Sequence, residues 1–224
     1  MTDESRPLAV LFDLDGTIVD SIGLLLACMN HTFEGRDPRP TEAEWIAGLG
    51  TPLPEQMTPF ITSEDDRQQL IKRYRDFQHE NHDQLMATYP GVAETLAELK
   101  ERGHPMGVVT SKGNAMMDRG LRYIGADKYM RVAIGFDSCS IHKPDPFPVL
   151  LAVGKLGYTP SESVFVGDSP HDIKAGNAAG VTTVAALWGP FTREMLEPYK
   201  PTHILDDITG LPALLDRIAG QSAG

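Results

Sequence analysis

The sequence predicts an α/β protein whose parallel sheet, covered by helices on both faces, is interrupted after its first strand by an all-helical insertion. Three observations lead there. The apolar run at 8–12 stops at Asp13 and reads as a buried strand. From about 20 to 86 helical spacing recurs and no good strand is found. After Pro90-Gly91, short apolar runs alternate with helix-like segments, as expected of parallel strands buried on both faces.

The elements follow in chain order. Ile22, Leu25, Leu26, Met29 and Phe33 recur at helical spacing. Thr41 caps a short helix into Trp45, and Ser63, with Asp66 three residues on, caps a long polar helix through Phe77. Gly48-Leu49-Gly50-Thr51-Pro52 between them is a loop. Then helix 92–102 leads to strand 106–110, helix 114–124 to strand 131–134, helix 146–156 to strand 164–167, and helix 172–179 to strand 181–185. A short strand at 203–205 and a helix at 211–218 complete the pattern. The expected division is a core of 1–19 and 87–224 with an inserted helical unit at 20–86.

Composition narrows the function classes. The chain has 224 residues, 41% hydrophobic and 23% charged, as in an ordinary globular protein. Its longest apolar run near the start, 22–29, is too short to span a bilayer, and Asp3 and Glu4 stand where a basic signal region would sit. Cys28 and Cys139 have no metal-type spacing and read as reduced thiols of a cytoplasmic protein. A net charge of −11 disfavours a nucleic-acid partner, while a local cation can still make one pocket attractive to a phosphorylated small molecule. Oligomeric state is left open.

Ligands of an open α/β sheet collect at the carboxyl ends of its strands. Those ends carry Asp13-Leu14-Asp15-Gly16-Thr17, then Thr110-Ser111-Lys112, then Lys143 after a loop, then Gly167-Asp168 with Asp172 following. Converging carboxylates repel and are costly to desolvate, and a hard divalent cation resolves the conflict; oxygen-only ligands point to Mg²⁺. Asp13 and Asp168 are the expected side-chain ligands, with the backbone carbonyl of Asp15 as a third. Asp13 suits a nucleophile that forms an aspartyl-phosphate, and Asp15 the acid/base that protonates the leaving oxygen and then activates water. Lys143 neutralises phosphoryl charge. The Thr110 hydroxyl and the N–H groups of Leu14 and Ser111 bind the other oxygens, and Gly16 turns the backbone toward the phosphate.

These segments in this order resemble the motifs of the haloacid dehalogenase superfamily, and the helical insertion resembles the small cap of its phosphoglycolate phosphatase and PpaX-type pyrophosphatase branch. Gly167 to Gly180, followed by Trp188-Gly189-Pro190, is similar to the same branch. The resemblance implies Mg²⁺, an aspartyl-phosphate intermediate, a core of Rossmann-like topology and a mobile cap. It also implies that Gly50-Thr51-Pro52-Leu53 is the loop lowered onto substrate. Relatives often carry an arginine near this loop where this chain has Gln56, which weakens the case for a carboxylated substrate such as phosphoglycolate. Thr51, Gln56 and His31 are the expected substrate contacts in the cap.

Blander readings stand beside these. Asp13 and Asp15 alone fit a solvated turn or a Ca²⁺ loop. Thr110 and Ser111 fit helix caps, Lys143 a surface lysine, and Asp172 a helix N-terminal acid or a support for the metal or Lys143. His142 and His171 read as surface or hydrogen-bonded loop histidines, Met116 and Met117 as core filling, and 64–75 as a solvated helix face. Asp15 argues against a dehalogenase. Thr17 and the lack of spanning segments argue against an ion pump. A β-phosphoglucomutase-like mutase commonly has Glu where this chain has Gly167, which favours a hydrolase. Inorganic pyrophosphate competes as substrate, and a phosphate-binding protein without catalysis is disfavoured because no catalytic residue is missing.

Overall fold

The structure, a computed structural model, describes residues 6–222. Strand β1 (Ala9–Phe12) opens the chain. Helices α1 (Ile22–Thr32), α2 (Glu42–Ala47), α3 (Leu53–Gln56) and α4 (Glu64–Leu85) come next, followed by α5 (Val92–Glu101) and β2 (Met106–Val109). Alternation then continues through α6 (Asn114–Tyr123), β3 (Met130–Ile134), α7 (Phe147–Leu156), β4 (Ser163–Gly167), α8 (Pro170–Ala179) and β5 (Thr182–Ala186). Helix α9 (Arg193–Leu196), strand β6 (His203–Leu205) and helix α10 (Leu211–Ser222) follow. The six strands form one parallel sheet of order β3-β2-β1-β4-β5-β6.

Strand β1 is buried throughout, and its residues alternate between two cores. Val10 and Phe12 join Val108, Val164 and Val166 on one face, and Leu11 joins Val109 and Phe165 on the other. Chain order reverses direction across the sheet at β1. In an open sheet that reversal opens a crevice beyond the carboxyl ends of the strands. Phe12 is level with Val166 of β4 and Val108 of β2, so Asp13, Asp168 and Thr110 leave neighbouring strands side by side.

The helical stretch between β1 and α5 is joined to the sheet by two chain segments. They are tied by a reciprocal backbone pair, Asp20 N–H to Ala87 O at 3.0 Å and Ala87 N–H to Asp20 O at 2.8 Å. Within it α1 packs along α4. Trp45 is buried against Phe33 and Tyr74, each ring centroid 5.9 Å away. The Thr41 side chain accepts from Glu44 N–H, and the Glu44 carboxylate accepts from Thr41 N–H, so α2 starts on a capping box.

Several boundaries differ from expectation, those of α4 and α8 for clear reasons. Helix α4 runs to Leu85, eight residues beyond Phe77, because Leu70, Tyr74, Gln78 and His82 continue one buried stripe at four-residue spacing. The last two are polar and disguise the stripe. Helix α8 begins at Pro170 rather than 172, since Ser169 caps it and Asp172 occupies its third position. The short helices α3 and α9 had no sequence signal long enough to register.

Candidate active site

Lys143 is the hub of the crevice. Its ammonium is buried and donates to Asp13 Oδ1 at 2.8 Å, Asp172 Oδ1 at 2.6 Å and Val109 O at 3.1 Å. The other Asp172 oxygen accepts from Ser169 N–H at 3.0 Å and Ser169 Oγ–H at 2.6 Å. Both Asp172 oxygens are therefore engaged, and this residue holds Lys143 and the start of α8 together. Gly167 makes room for it, since a side chain at 167 would run into Asp172. On the far side Asp168 is buried and accepts from Thr17 Oγ–H at 2.7 Å. Trp188 Nε1–H fixes that turn through Thr17 O at 2.7 Å.

Carboxylate oxygens of Asp13, Asp168 and Asp172 lie within 4.8 Å of one another. Burial pushes Asp13 up to about 7; Lys143 pulls it down, and Asp172 adds repulsion. Burial, and after it the charges of Asp172 and Asp13, also raises Asp168 well above the carboxylate range. Burial opposes the Lys143 charge, but Asp13 and Asp172 more than restore it and keep the ammonium protonated. One ammonium cannot offset three desolvated carboxylates, so the cluster fits one more hard cation, held by Asp13 and Asp168.

Asp15 points into a second network. Lys112 Nζ donates to both of its oxygens, at 2.7 and 2.9 Å, and Ser21 Oγ–H donates to Oδ1 at 2.6 Å. Lys112 was not among the expected site residues. Its position right after Thr110-Ser111 was the available signal, but only the turn beyond β2 brings its ammonium to Asp15. Gly16 has φ 84 and donates its N–H to Val19 O at 2.9 Å. Gly16, grouped with the phosphate-binding residues for the turn it makes, adopts that turn in the left-handed region beside the Asp168 carboxylate, but its amide is committed to Val19 O and is not a phosphate donor.

Thr110 lines the cavity above the carboxylates, and its Oγ accepts from Lys112 N–H at 3.2 Å, which leaves the hydroxyl proton to donate. Ser111 does more than offer an amide, because its hydroxyl donates to Gly50 O at 2.6 Å. The loop of the helical insertion is therefore docked on the sheet's rim. Gly50 has φ 92, and a Cβ there would meet Ser169 Oγ at 2.7 Å. His171 is hydrogen-bonded, but from the first turn of α8 rather than from a loop: its Nε2 lies 3.4 Å from Thr51 Oγ, and burial lowers its pKa. Leu14 is fully buried at the turn after β1, its side chain inside the core.

Docking closes a cavity of about 500 Å³ that reaches from Asp13, Asp15 and Asp168 up to the helical insertion. Thr51 and Gln56 line it, although Gln56 Nε2 is occupied by Trp45 O at 2.8 Å. His31 lies elsewhere, stacked on Phe77 at 4.5 Å in a separate shallow groove, so it is removed from the substrate contacts. Met117 is core, but Met116 lines the cavity. His142 stacks on Phe136 at 4.3 Å, behind another lining residue. Tyr74 and Gln78 of α4, both unforeseen, also face this space.

Residues 10–186 match the family model described as haloacid dehalogenase-like hydrolase. The chain is 37% identical over 212 residues to the pyrophosphatase PpaX of Bacillus velezensis, covering 94% of this chain and 97% of that protein. A solved structure described as a predicted phosphoglycolate phosphatase from Haemophilus somnus is 27% identical, with a TM-score of 0.83, covering 94% of this chain and 99% of that one. A HAD-superfamily hydrolase of subfamily IA from Geobacter sulfurreducens, 27% identical, has a TM-score of 0.71 and covers 96% and 99%.

Proposed function

This chain belongs to the haloacid dehalogenase-like hydrolase family, and from that premise we propose that it is a Mg²⁺-dependent phosphatase of small phosphorylated metabolites. The observation that carries the reading is the Asp13–Lys143–Asp172 chain of hydrogen bonds beside Asp168, a buried carboxylate held ready next to a fixed ammonium.

Asp13 attacks phosphorus, forming an aspartyl-phosphate as the bond to the leaving oxygen breaks. Asp15 gives its proton to that oxygen and later takes one from the water that cleaves the intermediate. Lys143 stays charged behind Asp13, its three N–H groups committed, and offsets phosphoryl charge through space, while the Thr110 hydroxyl with the Leu14 and Ser111 amides supplies neutral donors. Mg²⁺, held by Asp13, Asp168 and the Asp15 carbonyl, would spread positive charge over the same oxygens. Lys112 and Ser21 hold the Asp15 carboxylate in place between the two proton transfers. The docked loop excludes bulk water during both. We assign the reaction to the cytoplasm: Cys28 and Cys139 are free thiols, and among the described residues no helix is long and apolar enough to cross a membrane.

Pyrophosphate hydrolysis is the second reading, favoured by the likeness to PpaX. A mutase reading is weaker, because Asp172 fills the space that a glutamate at 167 would need. The test is phosphate release from p-nitrophenyl phosphate, phosphoglycolate and pyrophosphate, with Mg²⁺ and after EDTA. Turnover that EDTA abolishes and Mg²⁺ restores is expected; full activity after chelation would remove the cation from the proposal, and no turnover of any of the three would remove catalysis.

A further inference from the structure

The cavity holds far more room than the proposed chemistry requires. About 500 Å³ lies in the range of roughly 300–1,000 Å³ that encloses drug-sized ligands, whereas a second phosphate or a glycolate would occupy a small part of it. Beyond the carboxylates part of its wall is apolar, with Leu25, Leu49, Leu53, Tyr74, Met116 and Phe136, and the exposed Arg75, Asp76 and His79 of α4 line it too. Phe136 is backed by the His142 ring at 4.3 Å with the planes 17° apart, so it presents a fixed flat face. The volume belongs to the closed conformation, because Ser111 and Gly50 already join loop to rim.

One buried polar side chain in this wall has no hydrogen-bond partner among the described residues. Gln78 is 7% exposed, faces the cavity, and has no hydrogen bond to its amide among the described residues. Among its polar neighbours the Gln56 amide is tied to Trp45 O and Asp76 pairs with Lys72, while Arg75 and His79 are exposed. Its amide opens on the cavity and is free to bond a ligand there. A carboxamide offers one donor and one acceptor side by side, so its complement is an edge carrying an acceptor beside a donor.

Resting on the phosphatase reading above, we propose that the substrate is a phosphate monoester of a heterocyclic alcohol. Its flat ring lies against the apolar wall, and its acceptor–donor edge meets Gln78. Nucleoside 5′-monophosphates and pyridoxal 5′-phosphate have this chemistry; pyrophosphate and phosphoglycolate do not. Water remains the phosphoryl acceptor, and the released alcohol keeps the proton from Asp15.

The test compares kcat/KM of the full-length protein with Mg²⁺ on uridine and adenosine 5′-monophosphates, pyridoxal 5′-phosphate, pyrophosphate and phosphoglycolate, with p-nitrophenyl phosphate as a general ester. At least one heterocyclic ester should exceed both pyrophosphate and phosphoglycolate by tenfold or more. Gln78→Leu should lower the ratio of that ester to p-nitrophenyl phosphate about tenfold, mostly through KM. Gln78→Glu, which keeps an acceptor and loses the donor, gives the same reading should the leucine variant not fold. Pyrophosphate or phosphoglycolate as the best substrate, or an unchanged ratio in both variants, overturns the inference while leaving the phosphatase reading intact. Failure to hydrolyse p-nitrophenyl phosphate and every other ester would remove both.

Discussion

The two walls of the cavity are built differently. On the sheet's rim nearly every polar side chain is engaged: Lys143 with Asp13, Asp172 and Val109 O, Asp15 with Lys112 and Ser21, Asp168 with Thr17. On the helical wall apolar side chains stand beside Arg75, Gln78 and His79, whose side chains have no hydrogen-bond partner among the described residues. Charges that must be aimed within tenths of an ångström need several fixed partners each, whereas a surface that selects by shape needs volume and a few free polar atoms. Under the proposed reading, the difference teaches that reaction and selectivity fall to separate parts of one chain, joined where Ser111 meets Gly50.

Four perturbations bear on that separation. Asp13→Asn carries the largest expected effect, a loss of at least about 10⁴-fold in turnover of every ester, as for removal of a covalent nucleophile. A clean preparation keeping a few per cent of its activity on p-nitrophenyl phosphate would break the assignment of chemistry to the rim. Trp45→Ala should destabilise the protein by about 3–5 kcal/mol in urea titration, since a fully packed indole leaves a cavity at the centre of the insertion. A change below about 1 kcal/mol would mean that the insertion's core contributes little to folding.

Lys112→Met tests a contact on the rim that spacing did not reveal. It removes the bidentate partner of Asp15, and kcat should fall about 10²-fold with a smaller change in KM. Equal kcat in stopped-flow phosphoenzyme formation and decay would show that Ser21 alone suffices to aim Asp15. The smallest effect is expected at the junction: Ser111→Ala loses one hydrogen bond to Gly50 O, about 1 kcal/mol, which appears as a roughly fivefold rise in KM. A drop in kcat alone would instead assign the Ser111 hydroxyl to the chemistry.

Much of the sheet and the rim was readable in advance. Each β-strand is a short apolar run bounded by turn residues, and the carboxylates stand directly after β1 and β4, where the open-sheet rule puts ligands. The helical wall was not readable for the same physical reason that α4 was read too short. Tyr74, Gln78 and His82 are buried by neighbours distant in sequence, and a buried glutamine looks like a solvated one until those neighbours are in place. His31 and His171 show the converse. The first has a plausible position in the cap yet stacks on Phe77 away from the cavity, and the second reads as bland yet touches Thr51 across the closure.

By itself the sequence determined the parallel α/β sheet, the helical insertion, and the identity and order of the charged groups after the strands. These follow from local periodicity and from residue chemistry that does not depend on distant contacts. Only the tertiary structure decided which carboxylate each ammonium serves, that Asp172 is fully engaged with Lys143 and Ser169, and that Gln78 stands unpaired in a cavity of about 500 Å³. Those properties depend on distances between side chains far apart along the chain. Hydrogen bonds and charge interactions vary steeply over such distances, and residue spacing carries no measure of them.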